Sequence, residues 1–322
     1  MYRKIMGFLE AWKESKHRKP LILQGARQVG KTYSILEFGR THYENVAYFN
    51  FETNPKLNET FEENISPDYL IPILSHIAGQ TIVKEKTLMV FDEVQLCERA
   101  LTSLKYFCEN APDYHIIVAG SLLGVAVNRA KFSFPVGKVD MKTLYPMDME
   151  EFMLALGEDD LVKQIKKCFQ TDTPLPSALH DAAMQLYRQY LVVGGMPECV
   201  MQFAGTKDYI LVRHTQDTIL ASYLNDMSKY NNLNEIKKTR LAYDNITVQL
   251  SKKNTRFQYK LIKKGGRASE FENAIEWLCL SGIVSQVYKV EQIKKPLENY
   301  RDIDAFKIYV SDLGLLCAKK DL

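Results

Sequence analysis

The stretch LILQGARQVGKTY, residues 21–33, decides the fold. A short apolar run, Leu21 to Gln24, reads as a strand, and a helical stretch runs from Tyr33 to Gly39. Between them Gly25, Ala26, Arg27, Gln28, Val29, Gly30, Lys31 and Thr32 match the pattern G-x-x-x-x-G-K-[ST]. Two glycines let the backbone wrap tightly, so that successive N–H groups point at phosphate oxygens. The following helix adds the partial positive charge of its N-terminus. Lys31 is placed to reach the β- and γ-phosphates and the Thr32 hydroxyl to ligate Mg²⁺. Tyr33 continues the phosphate-facing turn. A Gly-rich turn without a ligand is the bland alternative, and the strand-loop-helix context argues against it. The expected ligand is a nucleoside triphosphate, read as ATP with Mg²⁺.

Outward from this loop, short apolar runs alternate with helix-sized segments: VAYFNF (46–51), TLMVF (87–91), HIIVA (115–119) and VDMKTLY (139–145). That alternation predicts βαβ units and a parallel sheet. The run Leu88 to Phe91 delivers Asp92 and Glu93 at its C-terminal end, where open α/β sheets bind ligands. Asp92 is expected to hold Mg²⁺, directly or through water, and Glu93 to orient or deprotonate an attacking water. After HIIVA come Gly120 and Ser121. A fourth strand beside the P-loop strand would let Ser121 bond the γ-phosphate or the water. Capping the next helix suits the same short side chain equally well.

From about Met149 to Tyr230 the spacing is helical, with a loop at TDTPLP (171–176) and a stop at Gly194-Gly195. Beyond Asn231 come helical stretches (ITVQLSKK, FQYKLIKK, ASEFENAIEWLCLSG) and then two β-like runs, IVSQVYKV and AFKIYVSD. Three short helices and a β-ribbon make a winged helix the natural expectation. Between Asn231 and Glu270 there are ten Lys and Arg against three Asp and Glu, while the whole chain nets only +3. Such a face could track a phosphate backbone. The helix expected to enter a groove, Ala268 to Leu280, instead carries Glu270, Glu272 and Glu276 and no Lys or Arg. DNA contact and protein contact both stay open.

The six cysteines form no CxxC pair and no metal-ligand spacing, so they read as reduced thiols. No apolar window reaches signal-peptide or spanning length, which predicts a cytoplasmic protein without membrane contact.

On GARQVGKT, FDEVQ (91–95), AGSLLG, SFPVGKVDMKTLYPMDMEEF (133–152), YLVVGGMPECV (190–200) and AFKIYVSDLGLL (305–316), the chain resembles the prokaryotic AAA-type ATP-binding proteins related to the STAND class of P-loop ATPases. The resemblance implies Asp92 as the magnesium residue, Glu93 as the catalytic glutamate, and a sheet of order 5-1-4-3-2. It also makes Gly195-Met196-Pro197 look like the GxP motif whose proline borders the adenine; read from residues alone, Pro197 is a helix terminator. Where relatives place an arginine after the fourth strand, this chain has Ala119-Gly120-Ser121, so no arginine finger is assigned; Arg27, Arg99 and Arg129 are candidates. Members of the group usually continue past DLGLL into a domain resembling restriction-type nucleases. This sequence stops at Leu322, and both a truncated polypeptide and a member lacking that domain stay open.

The expected organisation is an N-terminal helix (1–19), an α/β P-loop core (20–157), a helical lid (158–230) and a winged helix (231–322). The expected function is Mg²⁺-dependent ATP hydrolysis that switches lid and winged helix. A nucleotide-gated interaction or DNA-binding protein with negligible turnover is the alternative, and a P-loop kinase for a small molecule a third. A nucleotide-dependent homo-oligomer is left open.

Overall fold

Two strands, β3 (Thr87–Asp92) and β4 (His115–Ala119), are buried along their whole length. Uninterrupted apolar runs require that of strands covered on both faces. The computed structural model describes residues 1–120, 135–229, 233–252 and 256–320. The strands β1 (Leu21–Gln24), β2 (Asn45–Asn50), β3, β4 and β5 (Asp140–Thr143) form one parallel sheet in the order β2-β3-β4-β1-β5. Taken from the opposite edge, this is the 5-1-4-3-2 order that the resemblance implies.

The chain divides into two compact units, Tyr2–Tyr145 and Pro146–Leu322. In the first, α1 (Ile5–Glu14), α2 (Lys31–His42), α3 (Lys56–Glu63), α4 (Pro67–Ala78) and α5 (Glu98–Asn110) accompany the sheet. Phe91, next to the Asp-Glu pair, lies edge-on to Phe49, Phe51 and Phe61, with ring centroids 5.9, 5.9 and 5.7 Å apart. Edge-to-face pairs of this kind add about 0.5–1.5 kcal/mol each beyond area burial. They fix the end of β3, and so the direction in which Asp92 leaves it. Leu57, Leu70, Leu74, Leu104 and Phe107 join the same core cluster.

The second unit opens with helices: α6 (Met149–Ala155), α7 (Asp159–Gln170), α8 (Ser177–Val193), α9 (Pro197–Thr206), α10 (Tyr209–Lys229), α11 (Leu233–Leu250) and α12 (Ala268–Leu280). An antiparallel ribbon follows, β6 (Val284–Val290) with β7 (Arg301–Val310), and then α13 (Leu313–Lys319). Helix α6 starts on a capping box: Asp148 accepts the Glu151 N–H while Glu151 reaches back to the Asp148 N–H. One stretch departs from its spacing. FQYKLIKK (257–264) makes only a 3₁₀ turn at Tyr259–Leu261. Its Phe257 N–H donates to the Phe306 carbonyl (2.9 Å), which ties the start of the stretch to β7, and Gly265 at φ +80° ends any helix there. Of ITVQLSKK, the part ITVQL (246–250) is the end of the longer helix α11.

Candidate functional site

The P-loop leaves β1 at Gln24 and enters α2 at Lys31. Gly25 has φ +148°, and a Cβ there would lie 2.2 Å from the Leu144 carbonyl oxygen. The first glycine is therefore demanded by the chain after β5, which crosses directly behind the loop. Gly30 sits at φ +88° as the N-cap of α2. Gln28, also left-handed at φ 66°, turns the loop without a glycine's freedom. Val29 and Ala26 are buried, Arg27 is half-buried, and Tyr33 is exposed.

Lys31 is only 7% exposed, and its ammonium donates to the carbonyls of Gly25 (2.9 Å) and Ala26 (2.8 Å). Burial lowers its pKa to about 8, against the opposing pull of Glu93 and Asp92. The Thr32 hydroxyl donates 2.9 Å to Asp92 Oδ2, and the Glu93 N–H donates 3.0 Å to Asp92 Oδ1. Glu93 itself is held at φ +52°, a left-handed conformation that a side chain adopts at some strain. Gln95 donates to its carboxylate. Burial pushes the Glu93 pKa above the ordinary carboxylate range.

The loop, Lys31, Thr32, Asp92 and Glu93 thus lie together, all within the first unit. Ser121 and Arg129 fall outside the described residues. Arg99 is turned toward α3, donating to the Phe61 carbonyl (3.2 Å) with Glu62 alongside. Pro197 belongs to the second unit, at the first turn of α9. Its neighbours Gly194 and Gly195 are locked by Asp312: the Gly195 N–H donates 2.6 Å to Asp312 Oδ2. Gly194 at φ +76°, ψ −166° is a conformation open to glycine alone, and a Cβ there would lie 2.3 Å from Asp312 Oδ1.

Sequence reading missed Tyr48. Its hydroxyl donates 2.7 Å to Asp92 Oδ2, the oxygen that also accepts from Thr32, and Asn50 donates 3.2 Å to the Tyr48 oxygen. Burial, helped by Asp92, raises the Tyr48 pKa to about 12, so it stays a donor. The signal that could have found it is register: β2 pairs with β3 so that Asn50 faces Asp92, and side chains two apart share a face.

The donor set fits the expected ligands. A hydroxyl and a carboxylate are hard oxygen ligands, and Mg²⁺ is usually held by one or two carboxylates plus substrate phosphates. Among the described residues no cluster of three or more His, Cys, Asp or Glu suited to a metal occurs. A buried, desolvated ammonium at the mouth of such a loop is a cation that a triphosphate would suit.

Sheet order and P-loop together define the α/β fold of P-loop ATPases. Within it, residues 17–153 match the family model described as an AAA domain, which supports an AAA-type ATP-binding protein. Residues 184–322 match a domain of unknown function (DUF8612). Among solved structures, a Walker-type ATPase of Pyrococcus abyssi is similar with a TM-score of 0.60 at 13% identity, covering 99% of this chain and 95% of that one. The Aeropyrum pernix ORC2 protein (TM-score 0.45, 11% identity, 99% and 94% covered) is also similar. So is the Thermotoga maritima RuvB Holliday junction branch migration motor (0.37, 14%, 88% and 87%). The first likeness speaks to fold, and the other two carry nothing further. No curated protein sequence matches the chain.

Proposed function

We propose that this protein is a Mg²⁺-dependent ATPase whose nucleotide state resets its C-terminal helical region. The observation that carries the reading is the convergence of Lys31, Thr32, Asp92 and Glu93 on one loop. Thr32 and Asp92 would hold Mg²⁺, which when bound neutralises charge on the phosphates. The loop N–H groups and Lys31 grip the phosphate tail. Glu93, ionised, orients and accepts a proton from the attacking water. A raised pKa and a strained backbone at one carboxylate support that role, since such perturbations cluster at functional sites. We assign helices between about 158 and 230 as a lid, and 231–322, with its helices and β-ribbon, as a winged-helix-like module. Kinship with the STAND class, Pro197 at the adenine and Ser121 at the γ-phosphate belong to the same proposal.

For the module's partner, the glutamates of α12 favour protein over DNA. Glu272 and Glu276 line a cavity of about 520 Å³ between α12 and the ribbon, among Tyr259, Tyr288 and Phe306. Carboxylates on that face repel phosphate. Free cysteines throughout, and among the described residues no helix long and apolar enough to cross a membrane, support a reducing cytoplasmic setting.

Steady-state phosphate release, paired with a direct binding measurement, tests the reading. Glu93→Gln is expected to keep ATP affinity within about threefold while turnover falls about 10²–10⁴-fold. An unchanged rate would remove Glu93 as the base. A wild type that binds ATP and releases no phosphate leaves the nucleotide-gated binding protein as the better description.

A further inference from the structure

Arg3 lies outside every motif, yet it is 3% exposed and reaches the P-loop. Its Nη1 donates 2.8 Å to the carbonyl of Val29, the residue before the second loop glycine. Its Nη2 donates 2.8 Å to the carbonyl of Tyr145, which follows β5 and lies next to Leu144. Leu144 is the residue whose carbonyl leaves no room for a side chain at Gly25. The guanidinium therefore bridges the P-loop and the strand that backs it. Helix α1 holds Arg3 in place: Ile5, Leu9 and Trp12 are buried, and the Trp12 indole N–H donates 2.9 Å to the Lys19 carbonyl.

A peptide unit is planar and trans, so its C=O and the following N–H point in opposite directions. Anchoring the Val29 oxygen on one side of the loop fixes the Gly30 N–H toward the other. Glycine at φ +88° has little of its own to prevent that peptide from flipping. Desolvating a guanidinium is expensive, and excellent hydrogen-bond geometry is what retains it. A fork with two separated donors spans two carbonyls at once; an ammonium is a point donor.

From this geometry we propose that Arg3 is a positioning residue of the nucleotide site, holding the Val29–Gly30 peptide in the phosphate-facing orientation. Docking of α1 is thereby coupled to nucleotide affinity. The inference rests on the proposed reading that this loop binds ATP.

The test compares wild type, Arg3→Lys and Arg3→Ala by calorimetric titration with Mg·ATP and with Mg·ADP. Each protein is also labelled with ¹⁵N-glycine and its thermal midpoint measured without nucleotide. Arg3→Lys keeps the charge and one bond, so it serves where Arg3→Ala fails to fold. Arg3→Lys is expected to bind both nucleotides about tenfold more weakly, the value of one charge-assisted hydrogen bond. Its midpoint should stay within a few degrees of wild type, and the Gly30 amide resonance should move more than those of glycines distant from the loop. Millimolar guanidinium should restore part of the affinity in Arg3→Ala and none in Lys31→Ala. Affinity in Arg3→Lys equal to wild type, or a Gly30 resonance that does not move, overturns the inference. A wild type that binds neither nucleotide overturns the underlying reading instead.

Discussion

The molecule contains two glycine motifs gathered around a buried charge, and they are built in opposite senses. In the first unit, Gly25 and Gly30 surround Lys31, a cation bonded to two neutral carbonyls whose pKa burial drags down to about 8. In the second, Gly194 and Gly195 meet Asp312, an anion that accepts N–H bonds from Gly195, Gly314 and Leu315 and caps α13. Burial pushes the Asp312 pKa up, and those three donors oppose it. The lysine points back into its own loop, which we propose grips an anion. The aspartate has its acceptors filled by the fold itself. Glycine is required in both places by close approach; in the reading proposed above, one approach serves a ligand and the other serves packing. Gly314 completes the second clamp, since a Cβ there would sit 2.3 Å from the Val193 carbonyl oxygen.

This contrast is broken most directly through stability. Asp312→Ala leaves three buried N–H groups without an acceptor, at roughly 1–3 kcal/mol each before relaxation. Relief of the buried charge returns part of it, so a loss of about 3 kcal/mol is expected. That corresponds to a drop of about 10 °C in the unfolding midpoint of the C-terminal unit. Gly194→Ala should be comparable, from both its clash with Asp312 and its conformation. Calorimetric scans decide; an Asp312→Ala protein as stable as wild type would mean the clamp is not structural.

Lys31→Met should act with the opposite sign. A lysine whose folded pKa is depressed makes its charged form unfavourable at every pH below that pKa. Removing it is expected to raise the nucleotide-free midpoint, by about 1–3 kcal/mol in free energy, while ATP binding is lost. A midpoint that falls instead would show that the carbonyl bonds of Lys31 matter more to the fold than its burial does.

The same lysine gives a smaller, graded signal. Phosphate charge raises its pKa on binding, so above neutrality nucleotide binding takes up a proton. Near pH 8, about half a proton is expected; below about pH 6.5, none. Binding enthalpy measured in buffers of different ionisation heat reads the uptake. No buffer dependence at pH 8 would place the lysine's pKa elsewhere, and the contrast with Asp312 would lose its electrostatic half.

Much of the first unit is written in the chain itself. GARQVGKT and LMVFDE specify local chemistry, strand length and direction, and every apolar run named from the sequence forms a strand of the sheet. Their neighbours in the sheet came from resemblance, because local patterning carries no record of which strands pair. Gly194-Gly195 was legible as a helix stop, and α8 does end there. Its partner Asp312 lies more than a hundred residues on, and nothing in either segment names the other. FQYKLIKK has helical spacing but is tied at Phe257 to β7 and stopped by left-handed Gly265, tertiary and local constraints that outweigh a weak propensity. Arg3 and Tyr48 escaped for a related reason. Each acts through a single hydrogen-bonding group delivered by an element whose position depends on the finished sheet.

Tyr48 supplies the finest test of how tightly the ligand-facing site is organised. Asp92 Oδ2 accepts from Thr32 and from Tyr48, and Oδ1 from the Glu93 N–H, so the tyrosine is one of three donors that set the carboxylate's rotation. Tyr48→Phe removes only the hydroxyl. With the ring half-exposed and the Glu93 N–H still on Oδ1, the fold should be nearly indifferent. What should change is the carboxylate that presents to the metal. The Mg²⁺ concentration giving half-maximal ATPase activity is expected to shift about two- to fivefold, equivalent to about 0.5–1 kcal/mol. The direction carries information. A hydrogen bond that orients the ligand makes the requirement rise on its loss, whereas one that only withdraws charge from Oδ2 makes it fall. Titrating Mg²⁺ at saturating ATP in wild type and Tyr48→Phe distinguishes them, and identical curves would mean that Thr32 and the Glu93 N–H suffice to hold Asp92 in place.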